Sequence, residues 1–154
     1  MEDLIKIEAL LSTPPIPVGE IASKLGIKVI SKTLDSDISG LIRFNDGIFI
    51  IEVNNTDAGV RQRFNVGHEL GHYFLHRDLI DAEGIKDTIL YRSKLSNRQE
   101  SEANRLAATI LLPWTSVNTW HMTAYGSPPA PDHLEAIASQ FKTSRLAVGF
   151  RFGF

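Results

Sequence analysis

The densest chemistry in the chain lies in five consecutive residues, His68-Glu69-Leu70-Gly71-His72. On a helix, residues four apart stand one above the other. The imidazoles of His68 and His72 can therefore grip one metal ion without distorting the backbone. Glu69 is offset by about 100° around the helix axis. There it would flank an ion rather than ligate it, as suits a base that takes a proton from a metal-activated water. The sequence has no cysteine, so thiolate sites and disulfides are excluded. Any metal must take His, Asp or Glu. A His-rich tetrahedral set favours Zn²⁺, with Mn²⁺ as the alternative.

A catalytic zinc site needs a third protein ligand and one open position. The extended pattern His-Glu-x-x-His-x-x-Gly-x-x-His requires a glycine to turn the chain before its last ligand. Here those positions are Leu75 and Asp78. The helix is therefore expected to continue past Leu75, which disfavours Asp78. His76 extends the row of His68 and His72, but the outer two rings of such a row are about 12 Å apart. It reads better as a core or capping histidine near the helix C-terminus, where positive charge is favoured. Two glutamates remain. Glu100 shares a helix face with Asn104, Ala107 and Leu111. A bare carboxylate on so small and apolar a face is costly unless compensated, and a metal would compensate it. Asn104, one turn on, can hydrogen-bond a ligating His or Glu100 itself. Glu102 lies three residues before Arg105, the spacing of a solvated ion pair. Glu100 is the better candidate and Glu102 the fallback. Taken alone, Glu100 reads as a first-turn acid favoured by the helix dipole. His121, His133 and Tyr91, in or near loops, are candidates to steady an oxyanion, although a lone His or Tyr is usually structural.

These residues need elements to hold them. Leu4, Ile7 and Leu11 predict a short helix over residues 2–12, closed by the proline-rich run at 13–17. A second short helix over 18–25 stops at Gly26. Ile27-Lys28-Val29-Ile30 reads as strand, and two apolar runs, 41–44 and 48–53, flank Asp46-Gly47 as a hairpin. If one hairpin strand is an edge, it could pair with an extended peptide; it could equally be plain core-covering sheet. The His-bearing helix is predicted over 57–77, with Asn55 or Thr56 as its cap and Val60, Phe64, Gly67, Gly71 and Phe74 on one face. Residues 78–95 read as loop. Ser96 and Gln99 form a capping-box pattern for a helix over 97–112, ended by Pro113. Gly126, Pro128, Pro129 and Pro131 mark 121–131 as loop. A helical pair closes the chain, the first starting at Asp132 and the second containing residues 146–150. Together these predict an α+β fold: a small mixed or antiparallel sheet with a hairpin, packed on a helical core. The whole of 1–154 is expected to be one domain, with 132–154 as a helix-turn-helix-like pair packed into it.

The composition supports an ordinary globular protein: 154 residues, 43% hydrophobic and 22% charged. The acidic, amphipathic start has no basic leader or apolar core of a secretory signal, and no apolar run approaches the roughly 18 residues of a membrane span. With the cysteine-free composition, this suits a cytoplasmic protein. A net charge of −2 with scattered Lys and Arg argues against nucleic acid as the main partner.

The match then widens beyond five residues. The run Arg61-Gln62-Arg63-Phe64-Asn65-Val66-Gly67-His68-Glu69-Leu70-Gly71-His72-Tyr73-Phe74-Leu75-His76 resembles the active-site helix of the ImmA/IrrE family of metallo-endopeptidases. Glu100-Ser101-Glu102-Ala103-Asn104-Arg105-Leu106-Ala107-Ala108, followed by Leu111-Leu112-Pro113, is similar to that family's second signature. The hairpin and C-terminal pair are similar too. The resemblance implies a minimal thermolysin-like zinc-peptidase domain with His68, His72 and Glu100 as ligands and Glu69 as acid/base. It implies a protein substrate as well: a helix-turn-helix repressor or antitoxin of the Xre type, often encoded alongside, whose cleavage relieves repression. Leu106 and Gly67 depart from the family's usual Phe and Ala. Two other classes compete. Residues 20–27 and 135–141 faintly echo a helix-turn-helix, which generic amphipathic packing explains better. A non-catalytic binder with a structural metal is opposed by the intact Glu69.

Overall fold

The computed structural model describes residues 1–88 and 95–154. Helix α1 (Glu2–Ile7) runs into a 3₁₀ turn (Glu8–Leu11), and α2 (Val18–Lys24) follows the proline-rich segment. Strands β1 (Lys28–Lys32), β2 (Ile38–Asn45) and β3 (Ile48–Asn54) then lead into α3 (Gly59–Leu75). A fourth strand, β4 (Ile85–Thr88), precedes α4 (Asn97–Leu111). Helices α5 (Trp114–Tyr125), α6 (Leu134–Phe141) and α7 (Arg145–Phe152) complete the chain.

The sheet order is β1-β3-β2-β4, with β1 parallel to β3 and the other pairs antiparallel. The α+β fold read from the sequence is the fold observed. The hairpin turn is Asp46-Gly47, at φ 50° and 77°. Both residues are left-handed, as a two-residue turn matched to strand twist requires, and glycine takes that conformation without strain. Both hairpin strands are interior, so neither is a free edge; among the described residues the edges are β1 and β4. The substrate track suggested for the hairpin is thereby corrected. Residues 78–95 also contain more than a loop, since β4 pairs along β2.

Strand alternation puts Ile42, Ile51 and Val53 on one face, all buried, and α3 lies across β2 and β3. The core joins them to Val66 and Leu70 of α3, Leu111 of α4, Ile7, Ile16 and Ile21 from the N-terminal helices, and Phe141. The order is therefore sheet, α3, α4. Arg63 ties α3 to its surroundings, donating to the carbonyls of Ile16 (2.9 Å) and Lys142 (3.1 Å). Asn54, buried at the end of β3, donates to the carbonyls of Leu34, Asp35 and Ile38 and accepts from Leu34 and Thr56, so one amide organises the β1–β2 connection.

Several boundaries differ from expectation. The N-cap of α3 is Ala58, without a side-chain cap. Asn55 and Thr56 are engaged elsewhere: Asn55 accepts from Thr33, and Thr56 donates to Asn54. Val60, grouped with Phe64, Gly67, Gly71 and Phe74 on one face, is exposed. The helix stops at Leu75 rather than running on, and a 3₁₀ turn (Arg77–Leu79) follows. Residues 121–125, expected as loop, belong to α5, which ends at Gly126 in the left-handed region. Helix α6 begins at Leu134 rather than Asp132, after a 3₁₀ turn (Pro131–His133). Of the two helix-turn-helix echoes, α2 leads into a strand, whereas α6 and α7 do form a tight helical pair. No described helix is long and apolar enough to cross a membrane.

Candidate metal centre

The site is built where α3 crosses α4. The start of α4 is set by a reciprocal capping box: Ser96 Oγ accepts from Gln99 N (3.2 Å), and Ser96 N donates to Gln99 Oε1 (3.0 Å). This places Glu100 in the first turn of α4. The two helices approach closely because small residues line their seam. A Cβ added at Gly71 would fall 2.7 Å from the Ala103 carbonyl oxygen, closer than real atoms allow. At Gly67 it would meet Ala107 and Leu111 at 3.4 Å.

Three side chains converge across this seam. The Nε2 atoms of His68 and His72 are 3.0 Å apart, with the ring planes at 89°. Glu100 Oε2 lies 3.1 Å from His68 Nε2, and Glu100 Oε1 lies 3.5 Å from His72 Nε2. One donor atom from each of the three lies within 4.8 Å of the others, as a single metal ion requires. Both histidines are buried and Glu100 is half-buried.

The hydrogen bonds decide which nitrogen carries the proton. His68 Nδ1 is 2.7 Å from Asn104 Oδ1. An amide oxygen only accepts, so His68 carries a proton on Nδ1, and its Nε2 is turned toward the Glu100 carboxylate. Nitrogen and oxygen atoms at that separation need a proton or a metal cation among them. Two imidazoles and one carboxylate form a donor set suited to a divalent transition-metal ion, so these residues fit such an ion. Burial holds the His72 imidazole below its ordinary pKa, against the opposing pull of Glu100. The ring is thereby kept in the neutral form that binds metals.

Glu69 is fully buried on the adjacent face of α3, outside the three-residue cluster. Its carboxylate lies against β2 at Gly40, where an added Cβ would be 3.4 Å from Glu69 Oε1 and 3.1 Å from the Glu52 carbonyl oxygen. Asn65 fastens this side of α3 to the sheet, donating to Ser39 O at 3.3 Å and to Asp57 Oδ2 at 3.2 Å.

The other candidates are placed apart. Asp78 is exposed on the 3₁₀ turn after α3. Glu102 points away from the cluster: its Oε1 lies 3.8 Å from His76 Nε2 and 4.0 Å from Arg98 Nε, not against Arg105 as its spacing suggested. His76 is buried at the C-cap of α3, as the capping reading expects, but its ring turns back onto His72. His121 and His133 engage each other at 2.9 Å, and His121 Nδ1 contacts the Ser127 carbonyl at 2.5 Å. Tyr91 lies outside the described residues. Sequence reasoning missed Gly40 and the contact between His76 and His72. The second left a signal, the four-residue spacing, but the first left none.

A family model of peptidases, described as the IrrE N-terminal-like domain, matches residues 22–152. No curated protein matches the chain. Among solved structures, a Mycobacterium tuberculosis transcriptional regulator is similar, with 16% identity and a TM-score of 0.59, over 97% of this chain and 44% of that one. At that identity the likeness is one of fold, and the chain spans less than half of the regulator's length. The family match runs from α2 through the sheet and both site helices into α7, so the chain belongs to the IrrE N-terminal-like family of metallopeptidases.

Proposed function

We propose that this protein is a zinc-dependent endopeptidase in which His68, His72 and Glu100 hold the ion and Glu69 moves the proton. The observation that carries this reading is the convergence of two imidazole Nε2 atoms and one carboxylate beside a separate, buried carboxylate. When bound, the ion supplies Lewis acidity, acidifying a water and polarising the scissile carbonyl. Glu69 accepts the proton of the attacking water at a carboxylate oxygen. As the water oxygen bonds to the carbonyl carbon and the C–N bond breaks, Glu69 delivers that proton to the leaving nitrogen. Asn104 fixes the His68 ring with Nε2 facing inward. The buried surroundings of Glu69 strengthen its interaction with the reacting groups.

The substrate proposed is a helix-turn-helix repressor or antitoxin of the Xre type, cleaved in the cytoplasm to relieve repression. The family resemblance supports this, and the fold likeness to a transcriptional regulator is in keeping with it. The test is Glu69→Gln, assayed by mass spectrometry on an Xre-type repressor encoded beside this protein. Zinc stoichiometry should be unchanged while cleavage falls by about 10²–10⁴-fold. Wild-type cleavage by the variant would remove Glu69 from its role. An intact repressor after incubation with zinc-loaded wild type would remove the substrate assignment.

A further inference from the structure

We propose that His76 is the positioning residue of His72, holding that ring in the tautomer that presents Nε2 to the metal. The proposal rests on His72 being a ligand, and it assigns a role to a side chain outside the metal-binding motif.

His72 Nδ1 lies 2.9 Å from His76 Nδ1. Two imidazole nitrogens at that distance need one proton between them: one ring donates and the other accepts. If His72 turns its Nε2 lone pair toward the ion, its single proton sits on Nδ1 and must be donated. His76 then accepts at Nδ1 and carries its own proton on Nε2. That nitrogen faces the Glu102 carboxylate at 3.8 Å, beyond hydrogen-bond distance. The one close contact, His72 Nδ1 to His76 Nδ1, is compatible with Nε2 ligation by His72, and the Glu102 carboxylate lies on the far side of the His76 ring.

The backbone explains how the His76 ring comes to lie against His72. Helix α3 ends at this residue, which leaves the helical region at φ −130° and ψ 30° while its N–H still bonds the His72 carbonyl at 2.8 Å. The ring is buried. His68 has the equivalent support from Asn104 Oδ1 at 2.7 Å. Each candidate ligand histidine therefore has a dedicated acceptor on Nδ1, one an amide oxygen from α4 and the other an imidazole from the end of α3.

Two measurements test this. Long-range ¹H–¹⁵N spectra of the zinc-loaded wild type should show His72 protonated at Nδ1 and His76 at Nε2; a proton on His76 Nδ1 overturns the proposal without any variant. Zinc affinity, read by competition with a chromophoric chelator, should fall about 10–100-fold in His76→Leu, the usual loss when a ligand's orienting partner is removed. His76→Asn puts an acceptor oxygen near the place of Nδ1 and should recover most of that loss. Equal weakening in the two variants, or wild-type affinity in a folded His76→Leu, overturns it. His72→Ala separates the underlying reading: unchanged zinc affinity there removes His72 as a ligand, and this proposal with it.

Discussion

Glu69 shares its surroundings with a residue that has no side chain. Gly40 leaves the carboxylate room against β2, and a Val there would press on both Glu69 and the Glu52 carbonyl. Gly40→Val should lower kcat by about 10–100-fold, the scale of a misplacement near 1 Å, while leaving zinc affinity within a few-fold of wild type. Steady-state kinetics beside a zinc titration checks this, and parallel loss of affinity would show that the strand itself had moved. At this scale the sequence was legible where spacing is local. His68, Glu69 and His72 lie within five residues, and helix geometry alone relates them. Glu100 was separable from Glu102 because its face carries Ala107 and Leu111, both buried, although Asn104 is exposed and Glu100 itself half-buried. Gly40 was not legible, because its value depends on which strand happens to face the helix.

The α3–α4 crossing sets the next scale. Gly71→Ala would force its Cβ into the Ala103 backbone, so α4 must shift. The expected cost is about 1–3 kcal/mol, with zinc affinity falling because Glu100 and Asn104 move together. Gly67→Ala meets side chains at 3.4 Å rather than backbone. There the helix preference for alanine, roughly 1 kcal/mol, offsets mild crowding, and stability should be kept or raised. Denaturant unfolding of the two variants, with zinc titrations, gives the comparison; equal behaviour would discount the close approach at Gly71. Element signals were uneven. The capping box at Ser96 and the Asp46-Gly47 turn are local chemistry and were readable. Strand β4 has only four described residues and is held by pairing with β2, so its own pattern says little. Helix α5 carries three Thr and two Trp, which are poorer helix formers than alanine, and it forms where Pro113 and Gly126 bound it.

Across the molecule, the proposed ion would link α3, anchored on the sheet, to α4, which carries Glu100. Binding that bridges two elements adds to global stability by mass action. At free zinc one hundred times the dissociation constant the gain is about 2.7 kcal/mol. For a chain of this size that corresponds to roughly 5–10 °C in the unfolding midpoint. Calorimetry with zinc and with chelator should show this difference, and coincident transitions would argue that no ion bridges the helices. The α+β class was legible from alternating and helical patterns, whereas strand order was not, because which strands become interior depends on long-range pairing. The glycine–alanine seam bears, finally, on sequence drift. Gly71 has no side chain with which to hold an ion or do chemistry, yet a larger residue there would displace the helix that carries Glu100. In a saturation library scored for function, Gly71 should therefore tolerate as little change as His68 or His72. Scored for folding alone, the histidines should accept substitution more readily than that glycine.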